Sequence, residues 1–273
     1  MPNHVTNKIQ FIGEQENITK VLELIKGEED AIDFNKIIPM PKTLNLTSGG
    51  NDTESMQYAL SKKPMSESQR IKAMLILKKC DYYGTYYNKI FRNRIFTTEE
   101  LEKAAKEFEN NLKEHKRNMF ENIDYEGLGI KTFEDLGNMY INNIINYGHD
   151  SWYDWRIENW GTKWGAYDIY VGENVIEFDT AWNCPFEILD KLAEICNKFD
   201  VGFVGKWADE DCGHNVGTFK TKDGLLYDEP AEDESNKAYE IYIELKGESD
   251  CIGENEDGNL VHFDCDTCPN KCY

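Results

Sequence analysis

The chain has 273 residues, of which 40% are apolar and 12% aromatic, and its formal charge is −21. This composition excludes a disordered chain and leaves ample length for a buried core. No apolar run reaches the length of a membrane span, and Met1-Pro2-Asn3-His4 lacks the basic-then-apolar pattern of a signal peptide, so a cytoplasmic protein without membrane contact is expected.

Val5–Ile12 alternates in polarity and stops at Gly13, which predicts a strand. Ile18, Val21, Leu22 and Ile25 then recur at helical spacing over 17–26, closed by Gly27. Phe34–Ile38 reads as a second strand, stopped by Pro39 and Pro41, and the polar stretch 45–52 with Gly49-Gly50 reads as a loop. Ser66 with Gln69 forms a capping box before Ile71, Met74, Leu75 and Ile76. Thr97 with Glu100 forms another, ahead of Leu101, Ala104, Phe108, Leu112 and Met119. Thr132 caps a third predicted helix through Leu136, Tyr140 and Ile144. Tyr167–Val171 and Val175–Trp182 flank Gly172-Glu173-Asn174 as a hairpin. Pro185 opens a helix whose apolar face carries Ile188, Leu189, Leu192, Ile195 and Cys196; Val201–Trp207 follows as a strand and Gly217–Lys220 as an added edge strand.

Two β-α-β units enclosing one sheet are the expected result: an α+β fold with a ferredoxin-like split β-α-β sheet. Residues 1–48 and 151–225 supply its two halves, 49–150 a helical insertion, and 226–273 an acidic, Cys-rich tail. The opening Met1-Pro2-Asn3-His4-Val5-Thr6-Asn7-Lys8-Ile9, the segment Phe34-Asn35-Lys36-Ile37-Ile38-Pro39-Met40-Pro41 and the run from Asn159 to Asp168 resemble the YubB-like ferredoxin-fold family of phage and plasmid proteins. The resemblance covers the first fifty residues and about 159–217, not the middle or the tail. It implies a fold and a mobile-element origin, and no reaction.

All six tryptophans fall between Trp152 and Trp207. Such crowding marks a core centre or a recognition surface. Trp160, Trp164 and Trp182 suit a core; Asn159, Thr162, Lys163 and Asp168 suit the rim of a pocket beside them; Trp152 and Trp155 suit anchors for a partner protein. Between Asp81 and Arg94, rings such as Tyr82 and Tyr86 alternate with cations such as Arg92 and Arg94, as a single-stranded RNA site or a helix junction would require. Cys251, His262, Cys265, Cys268 and Cys272 have the ligand types for a structural zinc, although their spacing matches no standard two-pair module. Reduced thiols or disulfides are the other readings of the same cysteines. Asp179, Asp209, Asp211 and His214 could hold a hard cation for hydrolysis, or lie in a solvated loop.

Residues 222–273 contain 15 acidic and 4 basic residues, a net −11, whereas 66–122 are mildly basic at +3. A field of that sign repels phosphates and draws basic protein grooves; it also simply favours solubility. Nucleophile-elbow, phosphate-loop, dinucleotide and zinc-protease motifs are absent from the sequence. The expected role is therefore non-enzymatic binding of a host protein with a basic groove, as an accessory protein of a phage or mobile element that inhibits defence machinery acting on nucleic acids. A small-ligand or single-stranded RNA module on the Trp/Tyr surface is the alternative, and a metal-dependent hydrolase the third reading.

Overall fold

β1 (His4–Ile12) buries Val5, Asn7, Ile9 and Phe11 and turns Lys8, Gln10 and Ile12 to the opposite side, the period of two expected of a strand with one covered face. α1 (Gln15–Ile25) returns over it with Ile18, Val21 and Ile25 inward. The expected second strand at 34–38 is instead α2 (Phe34–Ile37), one helical turn. The Asp33 side chain accepts the Asn35 N–H at 2.8 Å, and Phe34 and Ile37 are both buried. An extended segment would send residues three apart to opposite faces; a helical turn buries both together. The computed structural model describes residues 3–49, 51–69, 71–72, 96–113 and 123–263, and the chain divides into two units, 1–39 with 156–273, and 40–155.

The second unit is helical among its described residues. α3 (Asp52–Lys62), α4 (Thr98–Lys113) and α5 (Phe133–Tyr147) share a core of Met56, Ala59, Ala105, Phe108, Phe133, Leu136, Tyr140 and Ile144. α3 begins inside the stretch expected as a loop. Three capping boxes form: Ser66–Gln69, Thr97–Glu100 and Thr132–Asp135. α5 approaches α3 closely at Gly137, where an added Cβ would lie 1.9 Å from the Ser55 carbonyl oxygen.

α6 (Trp152–Trp160), not anticipated from the sequence, leads into β2 (Tyr167–Gly172), β3 (Val175–Ala181), α7 (Phe186–Asn197) and β4 (Gly202–Asp209). β5 (Val216–Lys222) and β6 (Leu225–Pro230) follow, then α8 (Asn236–Lys246) and a hairpin of β7 (Ile252–Glu254) and β8 (Leu260–His262). One sheet has the order β2-β3-β1-β4-β5-β6 with antiparallel neighbours throughout. β1 sits between β3 (His4 opposite Ala181, Gln10 opposite Val175) and β4 (Val5 opposite Asp209, Ile12 opposite Gly202). The series β1-α1-β2-β3-α7-β4 is thus the split β-α-β arrangement, with its second strand supplied by residues 167–172 and not by 34–38. On the covered face, Ile188, Leu189 and Leu192 of α7 join Ile9, Phe11, Phe178, Phe203 and Trp207 in the core.

Residues 225–246, most of them within the expected acidic, Cys-rich tail, add a strand and a helix to this sheet. β6 pairs along β5 from Gly217–Pro230 to Lys222–Leu225, so β5 is an interior strand and not an edge. α8 lies on the face opposite α1 and α7, packing Ala238 and Ile241 on Ala208 and Val216.

Candidate functional site

Residues 161–168 carry the chain from α6 into β2 at one end of the sheet. The Lys163 ammonium lies 4.8 Å from the Trp164 ring centroid and 5.3 Å from that of Trp182, a cation held against two π faces. Trp164 meets Tyr167 edge-on at 6.1 Å, and Tyr167 meets the His4 ring at 5.6 Å, with 2.7 Å between the Tyr167 hydroxyl and His4 Nδ1. Burial, with Asp179, Asp168 and Glu210 nearby, pushes the Tyr167 phenol up to about 12. Trp182 adopts φ +74, a left-handed backbone that bulky residues rarely accept and that costs about 1–3 kcal/mol. Its N–H donates to Asn3 O at 2.9 Å and its carbonyl accepts from Asn215 Nδ2 at 3.2 Å, which holds the strained turn in place.

The tryptophans divide. Trp160 is 1% exposed, donates Nε1–H to Ile38 O at 2.9 Å, meets Phe34 edge-on and carries Arg156 over its ring at 4.7 Å. Burial lowers the Arg156 guanidinium to about 10, against the opposing pull of Asp33. Trp155 is buried as well. Both are core residues, not surface anchors, because α6 turns them inward. Trp152 is half-buried against Tyr153, and Asn159 is half-buried. The structure sets Lys163 beside Trp164 and Trp182, as expected of a pocket rim, and adds Tyr167 and His4, which were not expected there. Tyr82, Tyr86, Arg92 and Arg94 lie outside the described residues.

β2 runs along one margin of the sheet. Tyr167 pairs with Asp179 and Tyr170 with Glu177, so one extra residue bulges between them, where Asp168 has φ +50. Beside β2 is a slot of about 480 Å³, lined by Ile169 and Val171, by Ala31 and Ala166, and by the carboxylates of Glu29, Asp30 and Asp168. On the sheet face shared with α8, a second groove of about 410 Å³ holds Gln10, Val204, Tyr227 and three lysines. Those lysines face carboxylates: Lys8 to Glu177 at 4.0 Å and Glu244 at 3.9 Å, Lys206 to Glu244, and Lys220 to Glu229 at 3.1 Å.

The candidate hydrolase residues have separate partners. Asp209 is 4% exposed and accepts three N–H groups, from Asn3 Nδ2 (3.1 Å), Asp211 N (3.0 Å) and Asn215 Nδ2 (3.0 Å); it braces the β4–β5 connection. Asp179 accepts the Thr6 hydroxyl at 2.6 Å. Among the described residues no three of His, Cys, Asp and Glu come together as metal ligands. Cys251 and His262 occupy adjacent cross-strand levels of the terminal hairpin, since Phe263 N bonds Cys251 O and Ile252 pairs with His262; strand alternation sends the two side chains to opposite faces. Cys265, Cys268 and Cys272 lie outside the described residues. Burial raises the thiols of Cys184, of Cys196 to about 12, and of Cys212 to about 11, so none of the three is a ready nucleophile at neutral pH.

His214 clasps the β4–β5 connection to the segment before α8, with Nδ1 3.4 Å from Asp233 and Nε2 3.5 Å from Glu234. The Asp233 hydrogen bond is the main reason its pKa is raised. A raised folded-state pKa stabilises fully below the unfolded value of about 6.5, and the gain is lost as pH rises through the higher folded value. The ring is 39% exposed, so solvent screening keeps the gain below about 1 kcal/mol. His214→Gln is expected to be less stable than the parent at about pH 5.5 and equal to it by about pH 8.5. Urea titrations giving the same difference at both pH values would dismiss the clasp.

Residues 159–251 match the family described as "Ferredoxin-like domain in Api92-like protein". That stretch contains β2 through α8, and with it most of the sheet. The crystal structure of a protein api92 from Yersinia pseudotuberculosis is similar at 12% identity and a TM-score of 0.36, over 85% of this chain and 99% of that one. No curated protein matches the chain. Among the described residues, no helix is long and apolar enough to cross a membrane.

Proposed function

We propose that the chain acts without catalysis, as an accessory protein of a phage or other mobile element, by binding a host protein with a basic surface or groove and inhibiting machinery that acts on nucleic acids. The mobile-element origin rests on the resemblance to YubB-like proteins. The observation that carries the binding mode is electrostatic. The lysines of the sheet face stand against glutamates, while Glu29, Asp30 and Asp168 line the slot beside β2 in a chain of net charge −21. Such a field steers cationic partners inward and repels phosphates. With a purified basic nuclease as probe, affinity is expected to fall at least tenfold between about 50 and 300 mM salt, because the pair is screened. Binding that ignores salt, or no binding to any basic probe, counts against the reading.

A second reading, a small-ligand or single-stranded RNA module, is favoured by Lys163 lodged against Trp164 and Trp182 and by the 65% exposure of Tyr170. Trp fluorescence unchanged by oligoribonucleotides would dismiss it. The tail zinc is proposed on its sequence alone, with the zinc content of the purified chain as its test.

A further inference from the structure

We infer that the outer margin of β2 takes up an extended, lysine- or arginine-rich segment of the partner as an additional strand of the sheet. This rests on the protein-binding reading above and adds to it a location and a backbone mode of attachment. β2 ends the sheet, and among the described residues no strand pairs with its outer side. In antiparallel pairing a strand gives its N–H and C=O groups alternately to its two sides, so half of those of β2 point away from β3 and offer a template. The opposite margin is blunted. β6 there carries Asp228, Glu229 and Pro230, the charges and proline that discourage strand addition. Both margins expose apolar side chains, Tyr170 (65%) and Val171 (51%) on β2 and Leu225 (56%) and Tyr227 (45%) on β6, but Ile169–Gly172 of β2 contains neither a charged residue nor a proline.

The slot decides the occupant. Ile169 and Val171 provide an apolar wall, and Glu29, Asp30 and Asp168 provide carboxylates alongside it. A strand sends alternate side chains to alternate faces, so a segment alternating apolar and cationic residues satisfies both. The bulge at Asp168 interrupts regular geometry, which confines new pairing to Ile169–Gly172 and leaves the Asp168 carboxylate at its end. A second copy of this chain is the poorer occupant, since each copy brings −21 and its own acids to the same margin.

The test uses the whole chain and synthetic eight-residue peptides that alternate valine with lysine. Two further peptides are N-methylated at alternate residues, one in each register, and a fourth has glutamate for lysine. NMR of the backbone amides of Ile169–Gly172 reports pairing through hydrogen-exchange protection. The lysine peptide is expected to protect them, one methylated register to bind at least tenfold more weakly and the other to bind normally, and the glutamate peptide not to bind. Val171→Lys, at an exposed position, is expected to weaken the lysine peptide about tenfold without lowering the melting temperature. If both methylated registers bind like the parent, or no basic peptide protects these amides, strand addition is overturned. The salt-sensitive binding of the basic nuclease then stands or falls on its own measurement. A dimer by sedimentation that Val171→Lys converts to a monomer would assign the margin to a second copy and overturn the basic partner.

Discussion

Trp160→Ala lowers the unfolding free energy of the sheet-containing unit by about 3–5 kcal/mol, the range for emptying a large aromatic from a closed core. Three losses combine. The ring leaves its edge-on contact with Phe34, its Nε1–H no longer reaches Ile38 O, and the Arg156 guanidinium loses the π face beneath it. Arg156 is already depressed by burial, so removing its ring leaves a poorly solvated cation. Trp160→Phe should cost less, since it keeps much of the packing and forfeits chiefly one hydrogen bond of about 1 kcal/mol. Chemical denaturation of both variants checks the order. A Trp160→Ala protein of parental stability that had lost only partner binding would restore Trp160 to the recognition surface.

Gly137→Ala is the corresponding test of the helical unit, and two opposed magnitudes set its sign. On propensity alone, alanine within α5 gains about 1 kcal/mol over glycine. The new Cβ would, however, sit 1.9 Å from Ser55 O and 2.9 Å from the Ala59 Cβ. Backbone atoms cannot rotate away, so α3 and α5 must part and loosen Met56, Ala59 and Tyr140. Overpacking of this kind costs up to about 3 kcal/mol, and more where backbone must move. A net loss of about 2 kcal/mol is expected, read from hydrogen exchange at α3 and α5 amides. Unchanged or slower exchange would mean that the helices are not in contact at Gly137.

Asp209 shows why a motif can mislead. Asp179, Asp209, Asp211 and His214 have the chemistry of metal ligands, and nothing in their spacing distinguishes that role from bracing a turn. Burial beside three N–H donors supports bracing: the carboxylate is satisfied by hydrogen bonds within the protein. The tryptophans show the same from the other side, since Trp160 is buried while Trp164, four residues on, is half-buried against Lys163.

From sequence alone, local periodicity and punctuation determined a great deal. The alternation of Val5–Ile12, the hairpin about Gly172–Asn174, the helix after Pro185 and the capping boxes at Ser66, Thr97 and Thr132 are all set by residues close together in the chain, where pattern and structure share one length scale. That β1, β3 and β4 share one sheet also followed from the β-α-β pattern, whereas the placement of β1 between β3 and β4 is set by the folded sheet. What tertiary structure alone decided depends on distant groups. Phe34–Ile37 is a helical turn because burying both ends on one side outweighs a short apolar run's indifference between strand and helix. β5 became interior because β6 arrives from the acidic end of the chain. Lys163 found two rings, and β2 kept an open margin beside three carboxylates, only once residues 29–31 and 163–182 were folded together.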